Sequence, residues 1–362
     1  MPREPLEAIV LVGGQGTRLR PLTLSTPKPL LPTAGVPFLA HLLARAAAGG
    51  VTHVVLATCY KADMFAASFG DGSAFGLEID YVQEDVPLDT GGGIRNAAAS
   101  LRGSGPGDPI VVLNSYILSG HDLGAQVDLH GKTEAAVTLH LVEVDNPSRF
   151  GVVPTDDSGR VTAFLEKTPD PVTNRINAGC YVFRREVIGQ IPAGRRVSVE
   201  RETFPGLIES GQLVMGYPES AYWLDVGTPQ AFVRGSCDLV LGRLPGPAVP
   251  GPAGPLLLLA GAEVAPDASV SGGTVVGAGA SVGAGAIVSG SVLFDDATVG
   301  AGAVVRDSII GRGAVLAPGV ILDDALIGDG AFIAAGNELA HGIRIWPGVR
   351  LEPTSVRFSS DV

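Results

Sequence analysis

Hydrophobic and polar residues follow two different patterns along this chain. Over residues 1–242, short apolar runs alternate with stretches of helical periodicity, of which residues 38–48 are the clearest. This alternation predicts an α/β domain whose mixed, mostly parallel sheet is covered by helices on both faces. Ligands of such sheets bind at the carboxyl ends of the strands. The predicted strands are residues 8–12, 54–57, 110–113, 136–142 and 179–183.

Residues 259–350 carry a repeat instead. Similar units begin at Leu259, Val276 and Leu293, 17 residues apart, and within them an aliphatic residue recurs about every sixth position. Three short strands per turn with Gly, Ala or Asp at the corners predict a parallel β-helix with aliphatic residues stacked inside. The regular β-branched spacing argues against a disordered Gly/Ala-rich tail. We expect a homo-oligomer, because the ends of such a coil are exposed.

The remaining segments and the composition set limits on function. Pro/Gly-rich residues 243–258 predict a linker, and residues 351–362 a tail. A net charge of −12 without any Lys/Arg run argues against nucleic acid as a partner. The N-terminus lacks a signal-peptide pattern and the longest apolar stretch, 256–260, is too short to span a membrane, so we expect a cytoplasmic protein without a membrane partner. Three widely spaced cysteines, predicted to be reduced packing residues, are Cys59, Cys180 and Cys237.

The loop after the first predicted strand carries the chemistry. It contains Gly13, Gly14 and Gly16, followed by Arg18, Arg20 and Lys28. Glycines let backbone N–H groups approach phosphate oxygens, and the cations neutralise them, so the loop predicts a polyphosphate site. It is neither a Walker loop nor a dinucleotide fingerprint, because Gly-Lys-Ser/Thr is absent and leucine stands at the third glycine of the latter.

The same loop resembles the signature of the sugar-1-phosphate nucleotidyltransferases, G-G-x-G-T-R-L-x-P-L-T followed by P-K-P. The resemblance implies a Rossmann-like nucleotidyltransferase domain, which many members follow with a left-handed β-helix of hexapeptide repeats. It also implies that the protein catalyses the reaction of an NTP with a sugar 1-phosphate, which gives an NDP-sugar and pyrophosphate. Arg18 and Lys28 match the positions of the family's catalytic cations, which contact the triphosphate. Nucleotide-binding positions in the same stretch are Leu11, Gly13, Gly14, Gly16 and Thr17.

A second signature resembles residues 83–96, which in the family line the base and ribose of the nucleotide. It implies nucleotide-binding roles for Glu84, Pro87, Asp89, Thr90 and Gly91. Asp89 stands where the family usually has glycine. Two interpretations are open: its carboxylate accepts hydrogen bonds from guanine, or it crowds the pocket.

Two further segments resemble the family's sugar-phosphate site. The strings F-G-V-V and F-L-E-K-T-P, followed by N-A-G, imply that glycine backbone approaches the sugar ring and that a carboxylate accepts hydrogen bonds from its hydroxyls. Lys167 is expected to neutralise the sugar phosphate and is therefore a third catalytic cation. The implied sugar-phosphate residues are Gly151, Glu166, Lys167, Asn177 and Gly179.

A last signature, W-x-D-x-G-T-P, implies that Asp225 is a ligand of Mg²⁺, the expected cofactor. In the family a Gly-Asp pair after the third long strand supplies a second aspartate, but here Asn114 is followed by Ser115 and Tyr116. Three accounts are open. The metal is held by Asp225, the phosphates and water with help from Asn114 or Ser115; the pocket is retuned for an unusual substrate; or activity is lost.

The strings E-D-x-P-L-x-T-G-G, R-E-T-F-P and W-P-G-V before F-S-S-D are most similar to bacterial mannose-1-phosphate guanylyltransferases. This implies GTP, or another NTP, and a sugar or cyclitol 1-phosphate as substrates, with GDP-mannose or a GDP-cyclitol as product. One alternative is a guanylyltransferase for a cyclitol 1-phosphate such as valienol 1-phosphate in aminocyclitol antibiotic biosynthesis. The other is a catalytically impaired regulatory subunit that binds nucleotide sugar.

Overall fold

The structure is a computed structural model that describes residues 5–357. The last five residues of the predicted tail, and with them the string F-S-S-D, lie outside this range. By its contacts the described chain forms two compact units: residues 5–14 with 42–223, and residues 15–41 with 224–357. The helices are α1 Phe38–Ala48, α2 Asp63–Phe69, α3 Asp89–Ala97, α4 Leu123–Thr133, α5 Arg185–Gln190, α6 Phe204–Glu209 and α7 Pro229–Val240. The strands before α7 are β1 Leu6–Leu11, β2 Pro32–Thr33, β3 Val36–Pro37, β4 Val51–Thr58, β5 Glu78–Gln83, β6 Pro109–Asn114, β7 Ile117–Ser119, β8 Val137–Glu143, β9 Gly151–Val152, β10 Leu165–Glu166, β11 Arg175–Arg184, β12 Val214–Pro218 and β13 Trp223–Asp225.

The first unit is built on a mixed sheet with the order β10-β9-β11-β6-β1-β4-β5, to which β8 and β12 add beside β11. Strand β1 lies between β4 and β6 and pairs with both in parallel, so that Ile9 faces Val55 and Val112. Strand β11 is antiparallel to β6 and β8. The predicted mixed, mostly parallel sheet is confirmed. Four of the five predicted strands are longer than the apolar runs that predicted them, β8 is shifted by one residue at equal length, and α1 has the predicted bounds.

Apolar side chains of these strands form the core of the first unit. Ile9, Val55, Val112 and Tyr181 are completely buried, and they pack with Ile94 of α3 in one cluster. Because parallel strands are buried on both faces, their sequences are almost continuously apolar. Polar segments follow the carboxyl ends of β1, β5 and β6, and the predicted nucleotide residues lie at the end of β1, in these segments and at the start of α3.

The second unit contains the coil, whose strands fall into three parallel sheets. In one of them Val282, Val299, Leu316 and Ile333 stand in register and are buried. This agrees with the 17-residue spacing and is consistent with a left-handed β-helix. The coil strands are β14 Leu256–Leu258, β15 Glu263–Val264, β16 Ser269–Ser271, β17 Thr274–Val276, β18 Ser281–Val282, β19 Ile287–Ser289, β20 Val292–Leu293, β21 Thr298–Val299, β22 Val304–Arg306, β23 Ile309–Ile310, β24 Val315–Leu316, β25 Ile321–Asp323, β26 Leu326–Ile327, β27 Phe332–Ile333, β28 Glu338–Ala340, β29 Arg344–Ile345 and β30 Arg350–Leu351.

The boundaries of the units differ from the predicted domain boundaries. Helix α7, predicted to close the first domain, packs on the coil: Phe232 meets Phe294 at 6.3 Å between ring centroids. Residues 243–258 are not a free linker, because the Gly254 N–H donates to the Val240 carbonyl at 2.9 Å. Strand β14, inside the predicted linker, pairs in parallel with β17 and is the first strand of the coil.

Two smaller findings concern the cysteines and the helices. Cys180 and Cys237 are buried free thiols and Cys59 is a half-buried one, as expected for reduced packing residues. Burial raises the pKa of the Cys237 thiol to about 12. Within residues 5–357, no helix has the length and apolar character needed to cross a membrane.

Candidate active site

The signature loop, defined here as residues 15–31, belongs to the second unit. Gly16 has a φ of +61°, and a Cβ atom on it would come 3.0 Å from the Lys28 Cβ and the Thr23 Cγ2. The Thr23 hydroxyl donates to the Gly16 carbonyl at 2.9 Å. Only glycine fits both the left-handed backbone and the close approach of Lys28. The loop continues in three short 3₁₀ turns, Thr17–Leu19, Leu22–Leu24 and Lys28–Leu30.

Arg18, Lys28 and Asp225 form the charged centre of this unit. Burial lowers the pKa of Lys28 to about 8; the carboxylate of Asp225 opposes this shift and the Arg18 guanidinium adds to it. At Gly227 a Cβ atom would come 2.6 Å from Arg18 Nη2 and 2.9 Å from Asp225 Oδ1. Because residue 227 has no side chain, the Arg18 guanidinium can occupy this position. Two cations and one carboxylate converge here, which suits a polyanion accompanied by a metal ion.

Asp225 also has the properties of a metal ligand. Its Oδ1 atom is buried and accepts no hydrogen bond from the described residues. A buried carboxylate oxygen without a donor is costly unless a cation binds it, and Mg²⁺ prefers oxygen ligands. Across residues 5–357 no three His, Cys, Asp or Glu side chains are grouped so as to hold a metal. Asp225 is therefore a candidate that would need substrate oxygens or water to complete a coordination shell.

In the first unit, Glu84 and Asp89 frame the start of α3. The Leu88 N–H donates to Glu84 Oε2 at 2.9 Å, and burial together with the nearby Asp89 raises the pKa of Glu84. Asp89 has a φ of +63°, the left-handed conformation that glycine adopts most easily and aspartate tolerates. Its carboxylate accepts the Thr90 N–H at 2.9 Å and lies 3.7 Å from Arg196 Nη2. Asp89 thus holds a backbone conformation that glycine adopts easily, and its carboxylate is engaged by the protein.

The glycines of α3 are buried against protein atoms. The Gly91 N–H donates to the Val197 carbonyl at 2.7 Å, and a Cβ atom on Gly91 would come 2.9 Å from the Val197 side chain. At Gly93 a Cβ atom would come 2.7 Å from Glu84 Oε1. Packing within the unit thus accounts for the lack of side chains at Gly91 and Gly93. Pro87 precedes the helix and is exposed.

The first sugar-phosphate segment is a short antiparallel pair. Gly151 of β9 faces Glu166 of β10, and a Cβ atom on Gly151 would come 2.7 Å from the Phe164 ring and 3.0 Å from Glu166 Oε2. The Lys167 Nζ atom lies 3.3 Å from Glu166 Oε1, and its side chain is 62% exposed. Gly151, Glu166 and Lys167 are thus brought together as predicted, with the carboxylate half-buried and the ammonium in solvent.

The second sugar-phosphate segment is an irregularity in β11. Pairing with β8 shifts between Asn177 and Tyr181, and Gly179 there has a φ of +79°. Asn177 donates to the hydroxyl of the completely buried Tyr181 at 2.8 Å and accepts the Gly179 N–H at 3.1 Å. The Trp223 indole donates to the Ala178 carbonyl at 2.9 Å. The side chain of Asn177 is thus held in place by Tyr181 and Gly179.

The segment that lacks the family's Gly-Asp pair follows β6. Asn114 and Ser115 are buried, and the Ser115 N–H donates to the Leu11 carbonyl at 3.3 Å. The Asn114 amide donates to the Tyr181 hydroxyl at 3.5 Å. Tyr116 is half-buried, and its proximity contributes to the raised pKa of Tyr181, for which burial is the main cause. These residues form a neutral polar cluster around Tyr181.

Glu200 is a candidate functional residue that the sequence reasoning missed. It lies in a π-helical turn, Val199–Thr203, a local structure that is frequent at functional sites. Its carboxylate accepts hydrogen bonds from Thr90 at 2.9 Å and Ser198 at 2.8 Å, and its charge contributes to the raised pKa of Tyr181. Glu200 thus lies close to the predicted nucleotide segment, through Thr90, and to Tyr181, the hydrogen-bond partner of Asn177. Only its position next to R-E-T-F-P gave a sequence signal.

The predicted site residues therefore fall into two sets. The second unit contains the predicted catalytic cations Arg18 and Lys28 with Gly16, Thr17 and Asp225. In the first unit, Gly13 and Gly14 are exposed, and no atom lies within 4 Å of where a Gly14 Cβ would stand. The other members of that set are Leu11, Glu84, Pro87, Asp89, Thr90, Gly91, Gly151, Glu166, Lys167, Asn177 and Gly179.

Two family models match this chain in succession. The model of the nucleotidyl transferase family matches residues 7–240, and that of the GMPPB C-terminal domain matches residues 253–336. A mannose-1-phosphate guanylyltransferase of Mycobacterium tuberculosis is 57% identical over 363 residues, which is 100% of both chains. A mannose-1-phosphate guanyltransferase of Candida albicans is 37% identical over 64% of this chain and 64% of its own length.

Solved structures give the same fold. The crystal structure of HddC from Yersinia pseudotuberculosis complexed with GMP-PN is similar with a TM-score of 0.54 and 27% identity. The match covers 64% of this chain and 98% of HddC. The family model spans more than half of the chain and the mycobacterial relative all of it. This chain is thus an enzyme of the nucleotidyl transferase family.

Proposed function

We propose that this chain transfers the guanylyl group of GTP to mannose 1-phosphate and releases pyrophosphate. The observation that carries this proposal is its 57% identity, over the full length, to the M. tuberculosis mannose-1-phosphate guanylyltransferase. The name of that relative implies GTP and a sugar 1-phosphate as substrates. The comparisons do not favour the cyclitol-specific enzyme or the inactive regulatory subunit.

The signature loop is proposed to bind the triphosphate. Arg18 presents an exposed guanidinium, which can bind a terminal phosphate through two parallel hydrogen bonds. Lys28 is half-buried and mostly protonated at neutral pH, since its pKa is about 8. Gly13, Gly14, Gly16 and Thr17 precede or begin the first turn, and their backbone is assigned to the phosphates. Together they neutralise the charge of pyrophosphate as it leaves.

The first unit is proposed to bind the nucleoside and the sugar phosphate. Leu11, Glu84, Pro87, Asp89, Thr90 and Gly91 are assigned to the base and ribose, with Glu84 and Gly91 shaping the segment through their contacts with Leu88 and Val197. Glu166 accepts hydrogen bonds from sugar hydroxyls and Asn177 accepts or donates them, next to the buried backbone of Gly151 and Gly179. Lys167, with its ammonium in solvent, neutralises the phosphate of mannose 1-phosphate.

In the reaction, a phosphate oxygen of mannose 1-phosphate attacks the α-phosphorus of GTP. The bond from that phosphorus to the bridging oxygen breaks, and pyrophosphate leaves with the electron pair. No protein nucleophile is required. The chain contributes by holding two polyanions together and by stabilising the charge that develops between them.

Nucleotidyltransferases of this family generally use a divalent metal. We propose Mg²⁺, with Asp225 as its protein carboxylate, since Asp225 Oδ1 is buried and accepts no hydrogen bond from the described residues. The ion would polarise phosphate oxygens and offset their charge. We also propose that the enzyme is a homo-oligomer.

Pyrophosphate release with a panel of substrates tests this function. GTP, ATP, UTP and dTTP are each combined with the 1-phosphates of mannose, glucose and valienol in the presence of Mg²⁺. We expect kcat/KM for GTP with mannose 1-phosphate to exceed every other pair by at least about tenfold. A preference for valienol 1-phosphate would overturn the sugar assignment. Binding of GTP without turnover of any pair would overturn the enzymatic role.

Substitution of the proposed metal ligand tests the cofactor. Asp225→Asn keeps the shape of the side chain but removes its charge, so we expect kcat to fall at least about a hundredfold and the Mg²⁺ concentration for half-maximal rate to rise. Asp238→Asn in α7 also removes a carboxylate of the same unit and serves as the matched control. Equal metal dependence of the Asp225 variant and the native protein would contradict the assignment.

A further inference from the structure

The signature loop and the coil belong to the same compact unit, and the loop is fastened to the coil at two places. The first is the hairpin of β2 and β3. At its turn, a Cβ atom on Gly35 would come 2.9 Å from Leu259 and 3.0 Å from Pro250, and the Ala34 N–H donates to the Ser236 hydroxyl at 2.9 Å. The base of the loop is therefore packed against the first turn of the coil and against α7.

The second place is near the end of the coil. The guanidinium of Arg344, on β29, donates to the carbonyl of Arg20 at 2.9 Å. The Ser25 hydroxyl donates to Asp329 Oδ2 at 3.5 Å, and Asp329 is itself held because its Oδ1 accepts the Arg312 N–H at 2.9 Å. The exposed part of the loop is thus bonded to two successive turns of the coil.

These bonds lie between Arg18 and Lys28 in the sequence. Arg20 is two residues after Arg18, and Ser25 is three residues before Lys28. Inside the loop, Leu19 and Leu22 are buried, and the Arg20 N–H donates to the Thr17 carbonyl at 3.2 Å, so Arg20 belongs to the same turn as Arg18. A shift of the Arg20 carbonyl would therefore change the position of the Arg18 guanidinium. Since catalysis here depends on position and charge, a displacement of about 1 Å would be costly.

We propose that Arg344 is a positioning residue for the triphosphate of GTP, acting from the coil through the backbone of Arg20. The proposal rests on the function proposed above. It gives the coil a part in nucleotide binding that its repeat sequence does not suggest. It also predicts selectivity: the segments assigned to mannose 1-phosphate belong to the other unit, so that substrate should be unaffected.

The test compares Arg344→Ala with Arg344→Lys and with Arg306→Ala, a matched change of an exposed arginine on β22. We expect Arg344→Ala to raise KM for GTP about fivefold while KM for mannose 1-phosphate stays within about twofold of the native value. Arg344→Lys, which keeps a donor, is expected to recover part of the loss. Arg306→Ala should leave both constants unchanged.

Hydrogen–deuterium exchange supplies a readout that does not need turnover. Peptides covering residues 15–31 should exchange faster in Arg344→Ala than in the native protein and in Arg306→Ala. Unchanged exchange and unchanged KM for GTP would overturn the proposal, as would an equal rise of KM for both substrates. If the native protein transferred no guanylyl group but loop exchange still responded to Arg344, the function would fail and the anchoring would stand.

Discussion

The charged centre of the second unit depends on space that a single residue leaves open by having no side chain. Gly227 is the clearest case, because its φ lies outside the left-handed region and it is the neighbouring side chains that require glycine there. Arg18 Nη2 and Asp225 Oδ1 occupy the region that a Cβ atom would enter, at 2.6 and 2.9 Å. Real Cβ atoms do not approach other atoms so closely, so an added methyl group must displace the guanidinium or the carboxylate.

Gly227→Ala is therefore expected to lower kcat/KM for GTP about tenfold to a hundredfold, which corresponds to about 1.4–2.7 kcal/mol of transition-state stabilisation. The fold should be retained, as judged by thermal unfolding. Gly131→Ala in α4, where no atom lies within 4 Å of the added carbon, is the matched control and should match the native rate. Native kinetics in the Gly227 variant would show that the Arg18 guanidinium moves aside without consequence.

The residue scale also shows where sequence reasoning was limited. The signature letters identified Arg18, Lys28, Gly151 and Glu166, because their chemistry is readable from residue type and order. Glu200 was missed, since its role depends on hydrogen bonds from Thr90, 110 positions away, and from Ser198. Contacts over such separations are set by the packing of the sheet and leave no local pattern.

Elements were predictable where their pattern is local. Helix α1 has its predicted bounds because its apolar spacing is uninterrupted, and the coil strands follow a repeat in which every turn resembles the next. Helix α3 shows the opposite case. Its Gly-Gly-Gly string follows a segment that resembles a nucleotide site, and Glu84 and Val197 fill the space beside these glycines. A glycine-rich string indicates close approach, but only the fold shows what approaches.

The coil also contains a ladder that extends this argument. The Ser291 and Ser308 N–H groups donate to the hydroxyls of Thr274 and Ser291 at 3.2 and 3.1 Å, and the Ala325 N–H donates to Ser308 at 3.0 Å. These hydroxyls are buried and satisfy backbone groups of the next turn, so polar residues at this corner stabilise the coil. Thr274, Ser291 and Ser308 follow the 17-residue period of the coil, but the sequence analysis predicted only aliphatic residues inside it.

On the scale of the whole molecule, the two compact units do not coincide with the two sequence patterns. The chain changes its hydrophobic period after residue 242, yet residues 15–41 and α7 belong by their contacts to the coil. Apolar packing explains this: Phe232 meets Phe294, and Leu257 and Leu259 pack at Gly35. The hydrophobic pattern of a segment predicts its secondary structure, whereas its compact unit depends on the residues against which it packs.

A chain ended at residue 242 tests this difference. It retains the α/β sequence pattern but removes the partners of α7 and of the β2–β3 hairpin. Exposing Phe232 alone costs about 1.5–3 kcal/mol, and Cys237, covered by Gly273 in the full chain, is uncovered too. Because a domain has only about 5–15 kcal/mol of net stability, we expect aggregation on size exclusion and no GTP binding in calorimetry.

A chain ended at residue 357 keeps all described contacts and is the control. A monodisperse 1–242 chain that binds GTP with native affinity would show that the signature loop does not depend on the coil, and would remove the basis for the role of Arg344.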